Sequence, residues 1–160
     1  MGSRAQIATG LALLAALGVG AWLANRGPSA PSSQVGEPPD ISVTDGAASV
    51  GDVRLRFGVA ARPIQAFQPV RYRVRAEVAG RAVPLEAAVL SFTMSMTMGD
   101  HRHDLVPAAD GWSEAEAVLP ACASGHRRWY GDLAATVQGR PVAARFQFDL
   151  QPDAPPGAAP

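Results

Sequence analysis

The feature that most constrains this chain is the strict alternation of apolar and polar residues that recurs between positions 41 and 150. Val53, Leu55, Phe57 and Val59 alternate with Arg54 and Arg56; Val70, Tyr72, Val74, Ala76 and Val78 alternate with Arg71, Arg73, Arg75 and Glu77. Ala115, Ala117 and Leu119 alternate with Glu114 and Glu116, and Val142, Ala144, Phe146, Phe148 and Leu150 with Arg145, Gln147 and Asp149. Successive side chains of a strand point to opposite faces, so this period of two describes half-buried strands, each with one wet face, and excludes an α-helical core. Gly80-Arg81, Gly99-Asp100, Asp110-Gly111 and Gly139-Arg140 supply turn signals between the runs. The expected fold is all-β: an immunoglobulin-like antiparallel sandwich of about seven strands, with a small barrel as the alternative.

Outside this region the composition changes. Residues 5–25 carry no charge and lie between Arg4 and Arg26; as a helix they reach about 30 Å, the thickness of a bilayer's hydrocarbon core. A cleaved signal peptide is the competing reading, but the run leaves through Trp22-Leu23-Ala24-Asn25, which offers no Ala-x-Ala exit. Residues 1–26 are therefore expected to anchor the chain in the inner membrane as a single pass, with Trp22 at the interface and the carboxyl-terminal domain in the periplasm. Pro28, Pro31, Pro38 and Pro39 mark residues 27–40 as a Pro/Ser-rich linker, and residues 151–160 read as a disordered tail. The domain proper is 41–150.

The 160 residues hold 14 basic side chains, all of them Arg, and 14 acidic ones. That balance leaves no surplus positive charge for a polyanion, so nucleic acid is an unsuitable partner. The single cysteine excludes an internal disulfide and thiolate-rich zinc or iron–sulfur centres. No nucleophile elbow, phosphate loop or zinc-protease helix is present, and no catalytic role is expected.

Chemistry is concentrated instead in a short stretch: Met94, Met96, Met98, His101 and His103. In a strand spanning 88–98, even-numbered residues share a face that begins with Leu90 and Phe92, so Met94 reads as core. If Gly99 and Asp100 are the central pair of a tight hairpin, Met98 faces His101, Met96 faces His103 and Met94 faces Leu105. Directly opposed residues have Cβ atoms about 4.5–5.5 Å apart, so two thioethers and two imidazoles would form a quadrilateral able to share one ion. Thioether with imidazole favours copper, Cu(I) above all. Cys122 and His126 form a second group; a loop could bring them beside the hairpin tip, since a thiolate is a strong Cu(I) ligand, although a small apolar thiol also suits a strand end. The candidate metal ligands are thus Met96, Met98, His101, His103, Cys122 and His126. A rival reading makes the methionines core and the Arg face of Arg54, Arg56, Arg71, Arg73 and Arg75 a docking surface for a membrane protein complex.

The layout of an amino-terminal membrane helix, a Pro-rich spacer and an all-β domain with a Met-rich strand resembles the bacterial YtkA-like and FixH-like extracytoplasmic domains. The segments that carry the likeness are Pro84-Leu85-Glu86-Ala87-Ala88-Val89, Met94-Ser95-Met96-Thr97-Met98-Gly99 and Asp110-Gly111-Trp112, within residues 50–150. The family's Met-Pro pattern is absent here, and Ser95 and Thr97 stand between the methionines. The resemblance implies copper handling or delivery, possible service to respiratory oxidase assembly, and a membrane protein partner.

Overall fold

The structure, a computed structural model, describes residues 36–96, 99 and 101–151. The apolar run at 5–25, the first part of the linker and the tail from 152 lie outside the described residues, as do Thr97, Met98 and Asp100. No helix among the described residues is long and apolar enough to cross a membrane.

Ten strands build two antiparallel sheets. They are β1 (Gly46–Val50), β2 (Val53–Val59), β3 (Pro69–Val78), β4 (Arg81–Val83), β5 (Glu86–Thr93), β6 (His101–Asp104), β7 (Val106–Pro107), β8 (Ser113–Val118), β9 (Arg128–Val137) and β10 (Arg140–Asp149). One sheet runs β1-β2-β3-β8-β7, with β4 on the same side of β3 as β8, and the other runs β10-β9-β5-β6. The chain crosses from the second sheet to the first at Leu105, whose N–H donates to the Ala88 carbonyl between β6 and β7. Three more strands exist than the expected seven because β1, β4 and β7 are short or built of small residues and carry no alternation to read.

Alternation sets the core as the sequence implies. Val53, Leu55, Phe57 and Val59 from one sheet and Leu90, Phe92, Leu133, Phe146 and Phe148 from the other are buried between the layers. Phe57 stacks on Phe146 at 4.9 Å and Tyr72 meets Phe92 at a tilt, 4.5 Å away, so aromatic rings tie the two sheets together. Gly131 makes room for this. It faces Phe146 in register, and a Cβ there would overlap the Phe146 ring.

Gln147 departs from the expected wet face: it is only 6% exposed. Residues 37–41 lie across it. The Gln147 N–H donates to the Pro39 carbonyl, its own carbonyl accepts from Ile41, and its side-chain amide donates to Glu37 at 3.1 Å. The end of the linker thereby covers the edge of β10, where backbone groups would otherwise stay unpaired.

Candidate functional site

The expected tight hairpin at Gly99-Asp100 does not form. β5 ends at Thr93, and the β5–β6 ladder pairs Phe92 with His101 and Leu90 with His103, a register that a two-residue turn at Gly99-Asp100 cannot give. β5 stops pairing at Thr93, whose partner on β9 is Tyr130, although β9 itself begins two residues earlier at Arg128. Met96 therefore does not face His103, nor Met94 Leu105. Met94 packs half-buried against the core, in keeping with its expected role, while Met96 is 44% exposed on the loop.

This loop carries Met96 to the segment that follows β8. Gly125 donates its N–H to the Cys122 carbonyl at 3.0 Å, closing a β-turn with Ala123 and Ser124 at its centre, and Gly125 takes the positive φ of 80° that favours glycine. Around this turn Met96 Sδ stands 3.1 Å from Cys122 Sγ and 3.8 Å from Ser124 Oγ. The Ser124 hydroxyl is 2.9 Å from Cys122 Sγ and 2.9 Å from His126 Nδ1. Thioether, thiol, hydroxyl and imidazole thus form one continuous chain of contacts. The Ser124 hydroxyl, then its backbone N–H, hold the Cys122 thiol below its ordinary range against an opposing effect of burial, with the His126 N–H adding the smallest contribution.

The six candidate ligands consequently divide. Met96, Cys122 and His126 come together through Ser124, a residue that sequence reasoning did not single out; the signal available was the regular spacing of 122, 124 and 126. His101 and His103 sit instead on the core-facing side of the edge strand β6, opposite Phe92 and Leu90. The His101 ring meets the edge of Trp129 at 5.6 Å, and its Nε2 lies 3.9 Å from where a Gly99 Cβ would be. It is therefore turned back toward the methionine loop and toward the strand that follows His126. His103 packs on Phe92 at 5.9 Å, and its Nε2 is buried with no hydrogen-bond partner among the described residues. Met98 lies outside the described residues. Among the described residues no three His, Cys, Asp or Glu side chains converge.

The separation of the two sulfurs suits such an ion. Two sulfurs at about 2.3 Å from a metal with a tetrahedral angle between them stand about 3.8 Å apart, so Met96 and Cys122 need part by only about 0.7 Å from their observed 3.1 Å. A cleft of about 120 Å³ opens beside the pair, lined by Ala66, Ala121, Cys122, Gly125, His126, Arg127, Leu150 and Gln151.

The Arg face expected of β2 and β3 carries its own counter-ions. Glu77 faces Arg54, Glu116 faces Arg71 and Glu114 faces Arg73, while Asp45 bonds Arg62 at 2.8 Å and Arg73 at 3.3 Å. Arg73 also lies over the Trp112 ring at 4.8 Å.

No protein-family profile and no curated protein sequence matches the chain. Among solved structures it is similar to a DUF4426 family protein from Pseudomonas aeruginosa PAO1, with a TM-score of 0.50 and 12% identity over 69% of this chain and 97% of that one. At that identity the likeness extends to the fold alone, an all-β domain of two antiparallel sheets consistent with a β-sandwich.

Proposed function

We propose that this chain is a membrane-anchored, extracytoplasmic copper-binding domain that holds Cu(I) and hands it to, or guards it for, a membrane protein partner such as a respiratory oxidase. The observation that carries the reading is the approach of Met96 Sδ to Cys122 Sγ, from two loops far apart in sequence, with His126 joined to them through Ser124. Thioether, thiolate and imidazole are the donor set that selects Cu(I) over zinc or the hard divalent ions. The lowered thiol range supplies the thiolate that metal binding requires, with the proton released to solvent. His101, turned toward the same loop, and Met98 are the remaining donors within this reading, and His103 lies deeper against Phe92. The immunoglobulin-like assignment, the single membrane pass at 1–26 and the kinship with YtkA-like and FixH-like domains belong to the same proposal. It is favoured over a basic docking face because Arg71, Arg73 and Arg75 of β3 each pair with a carboxylate, of Glu114, Asp45 and Glu77 respectively.

The test is a Cu(I) titration of the full chain in detergent against a chromogenic Cu(I) chelator. Cys122→Ser and Met96→Leu should each weaken binding at least about tenfold, whereas Met94→Leu should leave it unchanged. Wild-type affinity in both Cys122→Ser and Met96→Leu overturns the reading.

A further inference from the structure

The cleft beside Cys122 is the part of this corner that copper binding by Met96, Cys122 and His126 leaves unused. Its walls come from three separate segments: Ala66 after β2, the turn of residues 121–127, and Leu150 with Gln151 at the end of β10. Backbone hydrogen bonds fix them to one another. Ala66 N–H donates to the Gln151 carbonyl, Gln151 N–H to the Ile64 carbonyl, and Leu150 N–H to the Arg127 carbonyl, at 2.7–2.9 Å. The cleft is therefore preformed and need not be organised by what enters it.

Its lining is chemically asymmetric. Ala66, Ala121 and Leu150 line it with apolar side chains, while Cys122, His126, Arg127 and Gln151 bring polar groups to it. None of the lining residues is acidic, and Arg127 makes no ion pair among the described residues. Its neighbour Arg128, by contrast, is paired with Asp149 and Asp40. A metal ion held by Cys122 and His126 would border this space, and Met96 is absent from its lining, so the cleft would offer that ion an approach the thioether does not fill.

We propose that the cleft admits a small anionic thiol, a sulfur donor carrying a carboxylate within a few bonds. Its thiolate completes the coordination of the bound Cu(I), and its carboxylate pairs with Arg127. The inference rests on the copper reading above. The step is a ligand addition without redox change: the incoming S–H loses its proton to solvent, a sulfur–copper bond forms, and copper remains Cu(I). Because the entering sulfur binds before any protein donor leaves, the cleft gives copper an associative route on or off the domain.

The experiment compares three thiols of similar size and different charge on the Cu(I)-loaded full chain: mercaptoacetate, 2-mercaptoethanol and cysteamine. Ternary complexes are followed by near-ultraviolet sulfur-to-copper absorption and by the number of sulfurs around copper in X-ray absorption. Mercaptoacetate should bind about tenfold more tightly than 2-mercaptoethanol, as expected for one added charge-assisted contact, with cysteamine weakest. Arg127→Gln should erase that order while leaving the affinity for Cu(I) alone unchanged, and Ala121→Leu, which enlarges a lining side chain, should weaken all three thiols. Equal binding of the three thiols, a charge preference that survives Arg127→Gln, or removal of copper with no ternary complex overturns the proposal and leaves the copper reading standing. A chain that binds no Cu(I) at the start overturns both.

Discussion

Met96 and Cys122 bring their sulfur atoms to 3.1 Å although 26 positions of sequence separate them. Met96 follows β5 of one sheet and Cys122 follows β8 of the other, so the pair bridges the two layers of the domain at one end.

An ion shared by this pair would clip the sheets together and stabilise the fold by mass action. At free Cu(I) one hundred times its dissociation constant the gain should be about 2.7 kcal/mol. Thermal unfolding of the full chain with and without Cu(I) measures it. The rise in Tm should vanish in Cys122→Ser; a rise of the same size in that variant places the stabilising ion elsewhere.

The Ser124 contact makes a separate prediction that needs no metal. Because the folded thiol ionises below its ordinary range, the rate of Cys122 alkylation by iodoacetamide should reach its midpoint at a lower pH in the folded chain than in the unfolded one. Removing the hydroxyl in Ser124→Ala should move that midpoint upward, and an unchanged profile would mean that Ser124 does not act on the thiol.

The register of β10 can be read by truncation. Phe148 is fully buried, and Phe148→Ala should cost about 3–5 kcal/mol in denaturant unfolding. Gln147→Ala should cost about 1 kcal/mol rather than nothing, because it removes the bond to Glu37 under the covering segment. If Glu37→Ala abolishes the effect of Gln147→Ala, the bond is its source; additive costs point to packing instead.

Gly58 sits beneath a charged knot. A Cβ at this position would meet the Asp45 carboxylate at 2.5 Å, and that carboxylate holds both Arg62 and Arg73. Gly58→Ala should destabilise the domain by about 1–3 kcal/mol. In an Asp45→Ala background the same change should cost clearly less, and equal costs in the two backgrounds would separate Gly58 from Asp45.

Acid should loosen the segment that covers β10. Burial raises the ionisation range of Asp40, but the hydrogen bonds from Ser42 and the charge of Arg128 outweigh it and hold the carboxyl below its usual value. The folded chain then binds this proton less readily than the unfolded one, so the stabilisation is complete above about pH 4 and is lost as pH falls through the lowered folded value. Asp40→Asn should flatten the stability profile in that window and leave its shape near neutrality unchanged.

Much of this architecture is legible in the sequence, and the reason is local. In β2, β3, β8 and β10 a period of two shows directly which side chains turn inward. The register of β5 against β6 was not legible, because Met94, Met96 and Met98 continue the alternation of Leu90 and Phe92 past Thr93, where the strand ends. β9 hides its inward face in another way: Gly131 and Ala135 interrupt the apolar series that Trp129, Leu133 and Val137 would otherwise display. The candidate residues themselves could be found from their soft-donor chemistry. Their grouping could not, since two loops meet in space without any periodic signal.

The slot that Gly131 leaves for the Phe146 ring carries a consequence for divergence. The two positions share a single side-chain volume, so neither is free to change alone: a larger residue at 131 requires a smaller one at 146, and the reverse substitution without its partner opens a void between the sheets. Distant kin of this chain should therefore keep the pair, or exchange it as a pair, even where the metal-binding loops have been rewritten.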